Sequence, residues 1–191
     1  VGAVAQQHLL ENIGRQQRPP ARAHERSGEL PQSSIRVVAG GRDDFGLVVP
    51  VRGQNLLQIG RVLAEAARAV GMTPGVQIRI GESSVVFSST EDLNAFVGKV
   101  RLLKDTGFEL FSLSFDDTAR ELKGDDVGAF ESYDHAIIDF SRRAFEAIHA
   151  EMPDLELGWV PTDYFSGSET AQATLTLAGE QIPPYVSIGW T

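Results

Sequence analysis

From Ser34 onward, short apolar runs alternate with stretches of helical periodicity, and this alternation constrains the fold more than any other feature of the 191 residues. Ile35–Ala39 reads as a buried strand closed by a Gly-Gly turn. Leu56, Ile59, Leu63, Ala66, Ala67 and Val70 recur at steps of three and four, predicting a helix over about 55–70 that stops at Gly71. Gly75–Ile80 is a second strand. Ser89 with Asp92 three residues on forms a capping-box pattern, ahead of the stripe Leu93, Phe96, Val97, Val100 and Leu103. Phe108–Phe115 follows as a third strand, and Ser132–Ala150 as a helix that turns Ile137, Ile138, Phe145 and Ile148 inward. Leu155–Val160 is a fourth strand, 169–179 a short helix and Tyr185–Trp190 a fifth strand. Strand–helix–strand repetition at this spacing predicts an α/β fold with a parallel sheet and crossover helices. Five such strands fit an open doubly wound sheet or part of a (β/α)8 barrel, a complete barrel typically needing about 250 residues.

Residues 1–34 read differently. QQRPPARAHERSGELPQSS is rich in Gln, Arg, Pro and Ser and has no apolar period, so it predicts a mobile tail, with a short helix near Val4–Asn12. The domain proper is expected over 35–191. An apolar content of 42% is too high for wholesale disorder, and no run approaches the roughly 18 apolar residues of a membrane span. The first residues lack a basic n-region and a long apolar h-region, which favours the cytoplasm. The formal charge of −9, with a pI near 4.9, argues against a nucleic-acid partner. Most of the acidity lies in 105–157, which hold 14 Asp/Glu against 4 Lys/Arg, and which as a charge run reads mainly as a solvated face. With no Cys, thiol nucleophiles, Fe–S clusters and Cys-based zinc sites are excluded together.

Several motif matches fail on context. Asp44-Phe45-Gly46 spells a kinase metal motif, but no HRD loop or strand-lysine motif accompanies it. No phosphate-cradling glycine loop and no G-x-S-x-G elbow occurs. His8, His24, His135 and His149 lack metal-ligand spacing, so neither a metal nor a cofactor is expected.

One constellation survives: Phe115-Asp116-Asp117-Thr118 at the carboxyl end of the third strand. Parallel α/β sheets bind ligands beyond the carboxyl ends of their strands. Strand alternation puts Ser112, Ser114 and Asp116 on one face and Leu113 and Phe115 on the other. Neighbouring carboxyls resist joint ionisation, so one of the pair is expected to keep a proton near neutrality, the division of labour that hydrolysis of an acetal requires. The fourth strand leads into Pro161-Thr162-Asp163-Tyr164 and the fifth into Trp190, adding polar groups and aromatic rings at the same end of the sheet.

The segments 88–118, 160–167 and 177–191, in order and spacing, resemble glycoside hydrolase family 84, the β-N-acetylglucosaminidases that include protein O-GlcNAcase. The resemblance covers roughly 55–191. It implies a partial (β/α)8 TIM barrel, with the five strands standing as about the second through sixth. It also implies hydrolysis of terminal β-linked N-acetylglucosamine from a glycan or glycoprotein, without cofactor. Asp116 would orient and polarise the 2-acetamido group, and Asp117 would act as general acid, then general base. Tyr164 matches the tyrosine of the family's Pro-Thr-Glu-Tyr turn, with Asp163 in the glutamate's place. Arg42, in Arg42-Asp43-Asp44, is the nearest match to the family's sugar-contacting lysine, and Trp190 completes the substrate-binding set. Three of eight barrel strands are unaccounted for, so a truncated relative is expected, one whose open sheet edges invite pairing into a homo-oligomer. Two other readings compete: a non-catalytic barrel piece that binds sugar or a partner chain, and a metal-dependent phosphohydrolase, whose Asp-x-Asp spacing the adjacent acids do not meet.

Overall fold

The computed structural model describes residues 35–40, 45–49, 56–80, 85–116, 118–165 and 167–189. The expected tail, 1–34, lies outside them. The elements are β1 (Ile35–Gly40), β2 (Phe45–Val49), α1 (Leu56–Ala69), β3 (Thr73–Arg79), α2 (Thr90–Asp105), β4 (Leu110–Ser114), a 3-10 turn (Gly124–Asp126), α3 (Tyr133–Glu151), β5 (Glu156–Val160), α4 (Glu169–Gln181) and β6 (Val186–Ile188). Among the described residues, no helix is long and apolar enough to cross a membrane.

The six strands form one sheet of order β2-β1-β3-β4-β5-β6. β3 to β6 pair in parallel, each neighbour following the last in sequence. The α/β expectation therefore stands, but its first strand needs correction. β1 runs antiparallel to both β2 and β3. The connection from β1 to β2 spans only 41–44, far short of the dozen or more residues a parallel crossover needs, so the chain must turn back as a hairpin. Since β2 and β3 are both antiparallel to β1, they are parallel to each other, and α1 crosses over β1 to join them. The parallel array thus has four strands, not five.

Right-handed crossovers in a sheet whose order never reverses place α2, α3 and α4 on the same face. The core agrees. Val76 and Ile78 of β3, Phe111 and Leu113 of β4 with the adjoining Phe115, and Leu157 and Trp159 of β5 are buried in one cluster. Phe96, Val100 and Leu103 of α2 join it, as do Ile137, Ile138, Phe145 and Ile148 of α3. The register aligns a contrasting row on the opposite face: Gln77, Ser112, Gly158 and Ser187. That row is small and polar, and a Cβ on Gly158 would lie 3.2 Å from Ser112 Oγ.

Local signals start the helices where the sequence predicts. Ser89 Oγ accepts from the Asp92 amide at 3.1 Å, Ser132 Oγ from His135 at 3.3 Å, and Ser168 Oγ from Ala171 at 3.0 Å. The capping box is incomplete in one respect, for the Asp92 carboxylate accepts from the amide of Val86 at 2.8 Å. In α1 the buried stripe is Gly60, Ala64 and Ala67, whereas Val70 is 71% exposed. Small residues win there because the helix lies close to the turn after α2: a Cβ on Gly60 would stand 2.9 Å from Thr106 Oγ1.

Candidate active site

β4 stays in the sheet one residue past its end. Phe115 N donates to Val160 O at 3.0 Å, and the ring lies 6.1 Å from that of Phe87 and 6.4 Å from that of Trp159, completely buried. The chain leaves the sheet at Asp116. Its carboxylate Oδ1 accepts from the hydroxyl of Ser114, two residues back on the same face, and the Asp116 amide donates to that hydroxyl oxygen at 3.4 Å. Ser114 is fully buried and Asp116 half-buried, so the hydroxyl holds the carboxylate at the carboxyl end of β4, on the face opposite the Leu113–Phe115 core. The expected alternation is what is found: serines and Asp116 on one side, Leu113 and Phe115 in the core on the other.

The loop from β4 to α3 is then pinned at Thr118. This hydroxyl donates to Phe115 O at 2.7 Å and lies 2.8 Å from the hydroxyl of Tyr133, the first residue of α3. Burial pushes the Tyr133 phenol above its ordinary range, which keeps it a donor. Two residues on, the Arg120 guanidinium donates through Nη1 to Asp163 Oδ2 and through Nη2 to Asp134 Oδ2. Nη2 also reaches Thr174 Oγ1 at 3.2 Å, and Thr174 donates to Asp134 Oδ2 at 2.8 Å. All three charged groups are less than a third exposed.

The same loop reaches the other way through Asp126, only 3% exposed. Its Oδ2 accepts from the amide of Phe87 at 2.8 Å. Its Oδ1 accepts from the amide and hydroxyl of Ser88, at 2.8 and 2.7 Å. Arg143 donates to Phe87 O from α3. The β4–α3 loop thus links the loop before α2 on one side to the turn after β5 on the other.

Of the residues singled out from sequence, Asp116 and Asp163 enter this network, Asp163 with Arg120 as its partner. Tyr164 follows on the same turn, 39% exposed, and Phe165 beside it is 50% exposed. Asp117, Arg42 and Trp190 lie outside the described residues. Arg120 and Asp126 were not foreseen, and Thr118, though part of the Phe115–Thr118 run singled out from sequence, was given no role of its own. Arg120 had one available signal, as one of only four cations in the strongly acidic stretch 105–157.

A family model described as beta-N-acetylglucosaminidase matches residues 53–191. Among solved structures, an O-GlcNAc hydrolase mutant of Thermobaculum terrenum is similar, with a TM-score of 0.65 and 22% sequence identity. The likeness covers 73% of this chain and 30% of that one, and at this identity it is a likeness of fold. No protein of curated function matches the chain.

Proposed function

The chain belongs to the beta-N-acetylglucosaminidase family, and on that premise we propose that it forms part of a glycoside hydrolase acting on terminal β-linked N-acetylglucosamine. The observation that carries the reading is the place of Asp116: in the matched segment, at the carboxyl end of a central parallel strand, oriented by Ser114. The unreversed order of β3 to β6, the helices on one face and the small polar row on the other support a partial (β/α)8 barrel, in which that row would face the interior.

In this scheme Asp116, fixed at one oxygen by Ser114, receives the N–H of the 2-acetamido group at the other. The acetamido oxygen attacks the anomeric carbon. The bond to the leaving oxygen breaks as Asp117 delivers its proton there, and a protonated oxazoline results, its N–H still held by Asp116. Asp117 then takes a proton from water, which attacks the anomeric carbon and opens the ring with net retention, a substrate-assisted form of the two-carboxylate reaction. Tyr164, Arg42 and Trp190 would contact the sugar, and Asp163, paired with Arg120, would shape the pocket through the turn that carries Tyr164.

Release of the phenol from an aryl N-acetylglucosaminide tests the reading. Wild type is expected to cleave and Asp117→Ala to lose at least about 100-fold in kcat, in line with loss of a general acid. An alanine variant with undiminished rate would refute the assignment. A second reading is sugar binding without turnover. Calorimetry with an oxazoline mimic on a wild type that does not cleave would support it.

A further inference from the structure

Asp116 lies on a short segment anchored at Phe115, Thr118 and Arg120, and Arg120 carries that anchorage to the turn after β5. We propose that Arg120 is a positioning residue: its guanidinium ties the acid-bearing loop after β4 to the Pro161–Tyr164 turn after β5, setting Asp116 against the Tyr164 side of the site. The inference rests on the glycosidase reading above and adds to it a residue that is expected to touch no substrate.

The geometry favours this role over that of a surface ion pair. The guanidinium spends its two terminal nitrogens on carboxylates from different elements, Asp163 on the turn and Asp134 in the first turn of α3. Thr174 of α4 closes the arrangement by donating to Asp134 Oδ2 and accepting from Arg120, and its own backbone is helical, so the fork rests on two helix faces. A planar fork fixes direction as well as distance, which an ammonium on a flexible stem does not. The pairs 120–163 and 120–174 span 43 and 54 residues of sequence, so the contact joins parts of the chain that local structure does not hold together. A small displacement of reacting groups costs rate out of proportion to binding, because alignment is needed most in the transition state.

The test compares wild type, Arg120→Met, Arg120→Lys, Asp163→Asn and the double variant Arg120→Met/Asp163→Asn on an aryl N-acetylglucosaminide. Thermal unfolding and calorimetry with an oxazoline mimic are run alongside. Arg101→Met, which removes an exposed pair with Glu151 away from the site, serves as the control. The expected result for Arg120→Met is a fall in kcat of about 10- to 100-fold with KM within about three-fold, at temperatures where it is fully folded. Arg120→Lys is expected to recover part of the rate, and the double variant to be little worse than Arg120→Met alone. Equal kcat for wild type and Arg120→Met overturns the positioning role and leaves the glycosidase reading intact. So does a loss that merely tracks the unfolded fraction, or rates that multiply in the double variant. If wild type neither cleaves the glycoside nor binds the mimic, the glycosidase reading itself fails and the positioning role falls with it.

Discussion

The hydroxyl oxygens of Thr118 and Tyr133 stand 2.8 Å apart, and the direction of the bond between them is fixed by a third atom. Thr118 has a single hydroxyl hydrogen, already donated to Phe115 O at 2.7 Å, so Tyr133 is the donor. The loop that leaves the sheet at Asp116 is thereby fastened to the start of α3 within two residues. Tyr133→Phe removes the bond to an oxygen whose own donation survives, and is expected to cost about 1 kcal/mol. Thr118→Val takes away both the donor to Phe115 O and the acceptor for Tyr133, and is expected to cost more, about 2 kcal/mol. Urea unfolding of the two variants gives the order, and the reverse order would contradict the assigned donor.

The same phenol makes stability fall on the alkaline side. Burial raises its pKa above the ordinary 10.0, so the unfolded chain ionises there first. The stabilisation is complete below about pH 10 and is lost as pH rises towards the folded-state value. Tyr185 shifts in the same direction and is common to both proteins compared. Between about pH 9 and pH 11 the urea midpoint of wild type should therefore drop more steeply than that of Tyr133→Phe. Parallel curves would show that the phenol contributes no such dependence.

Asp126 supports the loop before α2 through three hydrogen bonds from Phe87 and Ser88 while almost wholly buried. Asp126→Ala strands two backbone amides and is expected to destabilise by about 3 kcal/mol, since bonds to a buried carboxylate are among the stronger ones. Amide exchange should quicken first at Phe87 and Ser88. Unchanged protection at those two amides would rule out the tether.

Trp159, fully buried, donates its indole N–H to Ser141 Oγ at 2.9 Å, and Ser141 in turn donates to Ile137 O at 2.6 Å. Ser141→Ala leaves the indole N–H in the core without an acceptor, at a cost of about 1–3 kcal/mol. Chemical denaturation measures it. Ser141→Thr keeps a hydroxyl and should lose less of the hydrogen-bond contribution, although its extra methyl must find room in a packed core.

Much of the architecture was legible because its causes are local. The runs around Val76, Phe111 and Leu157 became strands, and the stripes Phe96–Leu103 and Ile137–Ile148 became buried helix faces, since side-chain period follows directly from backbone geometry. The Ser89 cap was legible for the same reason. Asp116 was legible because a polar residue ending an apolar strand marks where the chain leaves the sheet.

The hairpin was not. Ile35–Ala39 has the composition of a buried strand whichever way its neighbour runs, and strand direction is a property of the pair. The short connection 41–44 held the clue, but a parallel partner further on fitted the rhythm equally well.

The sequence by itself determined β3 to β6 and the helices beside them, the inward faces of α2 and α3, and Asp116 at a strand's end, but not β2 or the buried stripe of α1. What it determined depends on sterics and burial within a few residues. The partners of the carboxylates were decided only by tertiary structure: Arg120 for Asp163, and Asp126 for the amides of Phe87 and Ser88. Residues about 40 positions apart meet only after strands have ordered side by side, and periodicity carries no record of that order.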